Sequence, residues 1–452
     1  MSEGILAGAA EPDGAPRIPI MDILRGLAIL GILFMNINDM GQSLNASFGD
    51  IRHLGWAPAD QVAWWLREIL ANGTARCLLE MLFGVGMVIL TERFAAAANG
   101  WAVLRRYYVR NLVLFLFGVV HMYILLWPGD ILHSYGLAAL VAVLFRRLRP
   151  RWLLTIGLSM ALIQLTMGGY FGYYQGLQKQ AQTAAIETKQ AGGLKLTAAE
   201  TKRLKDHAKA LADRAKREAE FDKQVADEDR GRSGTGLSWM WAQILVSWDR
   251  FPNFGEIFTI WEAAGTMLIG AALFKLGIIQ GLRSRRYYLG MMLIGYGIGG
   301  VLRAIGAWEQ TRFDHAPHSF WATMEVARLL MTIGHIGMVH VVMASPLGQR
   351  LLKPFAATGR TALSVYIAQT LITLWVIFPP WGLALYGKLS WAPLMELAFA
   401  INLALLILSN IYVRYLDIAP VEWAWRSLIS WRALPWRKPR QPIQARRAPF
   451  PA

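Results

Sequence analysis

The chain of 452 residues is 55% hydrophobic and 17% charged, a composition shifted from that of a soluble domain toward lipid. Its net charge of +16 does not mark a nucleic-acid binder, because the basic residues fall in short loops between apolar stretches. The single Cys77 excludes a disulfide framework or a thiolate metal site within the chain.

Apolar stretches of about twenty residues predict an all-α fold, a polytopic membrane helix bundle of about ten transmembrane helices. Residues 1–17 read as a disordered lead, with Glu3, Glu11 and Asp13 and no cleavable signal. Spans one to five fill 18–176, at 20–38, 75–92, 107–127, 130–146 and 151–174. Between the first two, 40–72 reads as a polar loop with an aromatic interfacial helix, DQVAWWLREIL. Residues 177–236 differ, because strong helix formers of mixed charge and no apolar run predict a solvated, charged helical insert. An interfacial helix (LSWMWAQILVSWDRF) and spans six to ten fill 237–416, at 256–280, 287–307, 319–344, 359–379 and 391–415. The basic, Trp-rich tail 417–452 is expected on the membrane surface.

Lys and Arg concentrate in the loops 93–106, 146–151, 281–286 and 345–360 and in the tail. The alternate loops are nearly free of them. The positive-inside rule then puts both termini in the cytoplasm and the insert outside. The expected location is the bacterial inner membrane.

The stretch GVVHMYILLWPGDILHSYGL stands out. His121 rises to a Trp-Pro-Gly corner, and Asp130, His133 and Tyr135 open the next helix. At the helical rise, His121 lies roughly 9 Å below the end of its span and His133 roughly 4–5 Å into the next. The two imidazoles therefore share a depth beside a carboxylate and are expected to border an outward cavity. The plain alternative is a pair of satisfied interhelical histidines.

Other ionisable groups inside spans are candidate sites or paired structural groups. Asn36, Glu80, Arg303 and Arg328 are candidates for substrate binding, with Tyr135. Glu325 and Arg328 are spaced for an ion pair within one helix, whereas Arg303 needs a partner from elsewhere. His335 and His340 are five apart and share no face, so no metal is expected. Toward the cytoplasmic side, Arg25 either pairs with Asp22 or meets a phosphorylated ligand. Gln369 and Asn402 sit mid-span and suit interhelical hydrogen bonds.

Several of these stretches occur together in a known family. MDILRGLAILGILFMNI, LFGVGM, RNLVLFLFGVVH with GDILHSYGL, GRTALSVYIAQT and APVEWAWRSLISW resemble the YeiB-like bacterial membrane proteins, a family of unknown function. The likeness runs from Asp22 to Trp431. Arg25, Gly26, Asn36, His121, Asp130, Tyr135, Tyr366, Gln369 and Glu422 fall on the family's motif positions, while His133 falls at a variable one. The long insert departs from the compact form of the family. More distantly, the family resembles transmembrane acyltransferases, including heparan-α-glucosaminide N-acetyltransferase. Those enzymes pass acyl groups from a cytoplasmic thioester across the membrane, using a histidine.

That resemblance implies a membrane acyltransferase acting on a glycan, lipid or small molecule at the outer side. Its co-substrate would be acyl-CoA or another acyl thioester. His121 would be the base, Asp130 its orienting carboxylate and His133 a spare. Arg303, Asn36 or Tyr135 would meet the oxyanion, and Arg25 and Gln369 the acyl donor. The implied partners are the bilayer, the donor and the acceptor. Association with further copies of the chain stays open. The competing reading is a secondary transporter or exporter with a His/Asp/Arg relay, and a third is a structural or sensory protein whose insert docks a partner.

Overall fold

The structure, a computed structural model, describes residues 18–97 and 100–436. The expected lead 1–17, the end of the tail (437–452) and the side chain of Arg93 lie outside the described residues. Among those residues the regular elements are all helical. Six helices are long and apolar enough to cross a membrane: Pro19–Gly41, Pro58–Glu92, Glu256–Lys275, Arg285–Gln310, Phe320–Met343 and Trp391–Tyr415. Two bent pairs raise this to eight, so the protein is a multi-pass membrane helix bundle.

The first span is α1 (Pro19–Gly41), with proline in its first turn, where the missing N–H costs nothing. The expected interfacial helix α2 (Pro58–Leu70) runs on into α3 (Thr74–Ala97), and the two form one unit instead of a loop and a span. The stretch expected as the third span forms α4 (Gly100–Tyr123), which is not among those six helices, and the fourth is short, α5 (Leu132–Ala142) with a tighter turn to Phe145. Span five is broken into α6 (Pro150–Gly157), α7 (Ser159–Ile163) and a π-helical stretch, with a bend of 43°. Glycine-rich QLTMGGYFGYY supplies that π stretch, since glycines and π turns are common causes of kinks.

The insert folds as α8 (Gln175–Ala191) and α9 (Ala198–Ser233), followed by α10 (Gly236–Arg250). Thr197 and Glu200 form a reciprocal capping box that starts α9. Leu237, Trp241, Leu245 and Trp248 are exposed on one face of α10, a stripe suited to lipid. The later spans are α11 (Glu256–Lys275), α12 (Arg285–Ile294) joined by a π turn to α13 (Gly300–Gln310), and α14 (Phe320–Met343). The basic loop expected at 345–360 is instead a helix, α15 (Pro346–Arg360). It turns by 81° into α16 (Ala362–Ile372), and the two helices form one of the bent pairs. The last helices are α17 (Trp391–Tyr415) and α18 (Pro420–Ser430).

The two ends of the bundle differ in charge. At the basic end, Lys275 donates to the carbonyls of Arg146 and Leu148 at 2.6 and 3.1 Å. There α1 crosses α15 so closely that a Cβ on Gly26 would lie 2.0 Å from Phe355 O, and one on Gly359 1.8 Å from Asp22 O. Only glycine permits that approach.

At the opposite end the insert is latched to the turn after α1. Glu228 accepts from Ser43 Oγ, Leu44 N and Asn45 Nδ2 at 2.6, 2.8 and 3.0 Å. Arg232 pairs with Glu228 at 3.1 Å and donates to the carbonyls of Met40 and Gln42 at 2.6 and 2.5 Å. Both side chains are fully buried, so removing one strands the other. Glu228→Ala is therefore expected to cost about 3–5 kcal/mol and to open the α8–α9 hairpin to protease. Thermal melting and limited proteolysis read both effects.

An ion pair beside the latch makes its strength depend on pH. His53 Nε2 lies 2.9 Å from Asp229, which also accepts from Tyr386 at 2.6 Å. The hydrogen bond to Asp229 raises the pKa of His53 above the usual 6.5, against desolvation. Burial opposes ionisation of Asp229, but its bonds to His53 and Tyr386 prevail and lower its pKa below 3.8. The pair thus stabilises fully below the unfolded histidine value and loses that contribution as pH rises through the raised folded value. At the acid end it is lost as pH falls through the depressed value of Asp229. Between pH 6 and 9, wild type should lose more thermal stability than His53→Gln does.

Candidate functional site

The hairpin singled out in the sequence closes around one carboxylate. Asp130 Oδ1 accepts from His121 Nδ1 at 2.7 Å. Its Oδ2 accepts from the backbone N–H of His133 at 2.8 Å, which caps α5, and contacts His133 Nδ1 at 3.0 Å. The Tyr366 hydroxyl, from α16, accepts from the backbone N–H of Ile131 beside it at 3.2 Å. An ionised carboxylate only accepts, so the His121 proton sits on Nδ1 and Nε2 is left as an acceptor. Thr370 Oγ1 fills it at 2.9 Å. The result is a carboxylate–imidazole–hydroxyl chain in the order that activates hydroxyl nucleophiles.

Thr370 is a member the sequence reading missed. It ends GRTALSVYIAQT, four residues after Tyr366, so the two share a face of α16. That spacing was the available signal. Glu256 was missed too, as the first residue of its helix, yet it meets His133 Nε2 at 3.2 Å. His133 is thus no spare, for it lies between two carboxylates.

His121, Asp130 and Thr370 are buried. A cavity of about 360 Å³ lies toward the basic end. Arg25, Arg106, Arg110, Arg360, Arg426 and Arg432 line it there, and Tyr135, Tyr366, Ile131 and Phe83 line its apolar part. Tyr366 also packs against His121, with ring centroids 5.0 Å apart, so this side chain touches both the cavity and the imidazole. Glu422 lines the wall and caps α16 by accepting from Leu363 N at 2.7 Å and Ser364 N at 3.2 Å. At Gly86, also on the wall, a Cβ would meet nothing within 4 Å. Four of the resemblance's motif positions, Arg25, Tyr135, Tyr366 and Glu422, therefore border one space.

The remaining candidates are not gathered there. Arg303 donates to Asn72 O at 2.6 Å and pairs with Glu68 at 3.5 Å. Arg328 pairs with Glu325 at 2.8 Å and Glu80 at 3.1 Å, and also with Glu262. Arg76 binds Glu80 and Glu262, and Arg67 binds Glu68. Arg303, Arg328 and Glu80 thus each have an opposite charge beside them inside the bundle. Asn36 is half-buried on α1 and does not line the cavity. Gln369 donates to Ile29 O at 3.2 Å and to Asn402 at 3.2 Å, while Asn402 donates to Leu30 O at 2.8 Å, so both join helices. Tyr135 lines the cavity and donates to Arg76 O at 3.0 Å. Arg25, at the mouth, pairs with Asp22 at 3.1 Å. His335 bonds Tyr296 and Leu70 O, and His340 stacks on Tyr288.

Residues 273–432 match the family described as "Protein of unknown function (DUF418)". The chain is 28% identical to the uncharacterized protein YxaH of Bacillus subtilis (strain 168) over 439 residues, 92% of this chain and 96% of that one. It is also 28% identical to the uncharacterized protein YeiB of Escherichia coli (strain K12) over 414 residues, 90% and 95% of the two chains. No solved structure matches significantly.

Thr370→Val keeps the shape of the side chain but leaves His121 Nε2 buried without a donor. A stability loss of about 1–3 kcal/mol is expected, with Thr370→Ser close to wild type, both read by thermal melting in detergent.

Proposed function

We propose that this protein, a member of the YeiB-like family of membrane proteins, is an acyltransferase that takes an acyl group from a cytoplasmic thioester and passes it to an acceptor at the outer side. The observation that carries the reading is the cavity with its wall. Arginines stand at one end, apolar side chains at the other, and Tyr366 lines that space while packing on His121. The charge pattern of the loops assigns the arginine end to the cytoplasm of the bacterial inner membrane.

A phosphorylated acyl thioester matches that asymmetry. Arg25 and its neighbours face the phosphates, for which guanidinium groups are suited by charge and geometry. The acyl chain lies against Leu79, Leu82, Phe83 and Met87. His121 already points its acceptor nitrogen at a hydroxyl, and the acceptor's hydroxyl or amine takes the place that Thr370 Oγ1 fills. As it attacks the thioester carbonyl, its proton goes to Nε2, and Asp130 stabilises the imidazolium. The C–S bond breaks, and the imidazolium returns the proton to the departing thiolate. Tyr366 moves aside for the carbonyl to reach this point, and its hydroxyl is positioned to donate to the developing oxyanion.

Acetyl-CoA and longer acyl-CoAs test the reading with purified protein. Wild type is expected to bind them and to release free thiol, and His121→Ala to bind but release none. Gly86→Trp, which fills the apolar part, is expected to weaken acyl-CoA binding more than CoA binding. Absence of CoA-thioester binding by the wild type, or wild-type thiol release by His121→Ala, overturns it.

A further inference from the structure

Helices α16 and α18 begin against each other, and the N-cap residue of neither supplies a side-chain cap. Glu422, in the first turn of α18, accepts from the backbone N–H groups of Leu363 and Ser364 at 2.7 and 3.2 Å. Ser364 Oγ donates to the same carboxylate and accepts from Val421 N at 3.0 Å. Each helix is thus capped by the other, through one buried carboxylate and one hydroxyl. Thr361, at the N-cap position of α16, does not replace them. Its hydroxyl is turned to the carbonyls of Ala357 and Thr358 and to Ser409 Oγ, each at 3.3 Å.

The two capped helices carry different parts of the site. Arg426 lies one turn after Glu422 on α18 and lines the cavity. Arg432 lines it too, and the segment around it folds back on α18. Arg432 N donates to Ser427 O at 3.2 Å, and Trp423 Nε1 donates to Leu434 O at 2.8 Å. Beside Arg426, Trp425 Nε1 donates to Arg110 O at 3.3 Å, with the Arg110 guanidinium 4.3 Å from its ring centroid. A ligand drawn to these arginines therefore acts on α18. Across the shared cap, α16 carries Tyr366, which lines the cavity, and Thr370, which fills His121 Nε2. Ser364 does not line the cavity, so its hydroxyl serves the junction of the two helices.

We infer that Glu422 and Ser364 are positioning residues that couple a phosphate-bearing ligand at the arginine end of the cavity to the placement of Tyr366 and Thr370 beside His121. The class of ligand rests on the function proposed above, but the coupling needs none of its chemistry. Phosphates held by Arg426 and Arg432 draw α18 toward the cavity, and the shared cap turns the start of α16 with it. That turn takes Tyr366 off the His121 ring and Thr370 off Nε2, so the imidazole opens to the cavity once the ligand is in place. Capping alone accounts for the hydrogen bonds, but it gives ligand affinity no dependence on Thr370, which does not line the cavity. Coupling does. A bond that must break on binding lowers the apparent affinity, and two linked sites affect each other equally.

Equilibrium binding of CoA and of inorganic pyrophosphate to the purified protein in detergent tests the coupling. Thr370→Val removes the bond that holds α16 in place, so it is expected to bind both probes several-fold more tightly than wild type does. Ser364→Ala cuts the junction outside the cavity. In that background Thr370→Val should bring no gain, and Ser364→Thr, which keeps the hydroxyl, should restore it. Where Ser364→Ala shows no folded melting transition, Glu422→Gln takes its place, since it keeps the shape and turns one acceptor into a donor. Binding of neither probe, an affinity unchanged by Thr370→Val, or a gain that survives the cut junction overturns the coupling. Pyrophosphate binding that is coupled as expected, without CoA binding, would count against the thioester reading alone. Thiol release from acyl-CoA with an affinity indifferent to Thr370 would count against the coupling alone.

Discussion

A single buried carboxylate dictates how half of the bundle is arranged. An ionised group in an apolar interior is tolerated only when its acceptor sites are filled. Asp130 fills them from α4 through His121 and from the first turn of α5 through His133, while Tyr366 of α16 packs on the His121 ring. Those helices are therefore fixed around one atom group, and α11 joins them through Glu256. The hydrogen bond from Trp375 to Leu125 O at 3.0 Å ties α16 to the same corner.

A second network organises the other half. Arg67, Arg76, Arg303 and Arg328 face Glu68, Glu80, Glu262 and Glu325, four positive groups against four negative ones on α2, α3, α11, α13 and α14. Such a balanced set needs no outside counter-ion. Helix α11 takes part in both networks, through Glu256 and Glu262. Tyr135 joins them as well, lining the cavity while donating to Arg76 O. The cavity wall is thus backed by ion pairs on one side and by the Asp130 network on the other.

Much of this was legible in the sequence, and the remainder has a common cause. Apolar runs gave most spans because length and hydropathy are local properties. The His121–Asp130 pairing was legible because a tight corner forces neighbours together across a few residues. Thr370 is 249 positions from His121, and nothing local indicates which face of a distant helix will arrive there. The same holds for Arg303 and Glu68, and for the latch of Glu228 on the turn after α1. The charged run 345–360 read as a loop because its basic residues mask an amphipathic helix, α15. Depth along a helix says how far a side chain lies from an end, and does not say which side of it is hollow.

The geometry also limits what can move to admit a substrate to His121. Asp130 cannot shift without breaking contacts to α4 and α5 together. Helix α4 is held by the same carboxylate, and α11 by its ion pairs. Helix α16 departs from ordinary α geometry at both ends, with an 81° turn at Thr361 and a π turn at Thr373–Ile377 directly after Thr370. π turns are stretches where the regular ladder is interrupted, and they recur at functional sites. Tyr366, the wall of the cavity, and Thr370, the occupant of His121 Nε2, both lie on this helix, one turn apart. A small rotation of α16 moves the wall and the occupant in one step, exposing the imidazole to the cavity while leaving the Asp130–His121 pair in place.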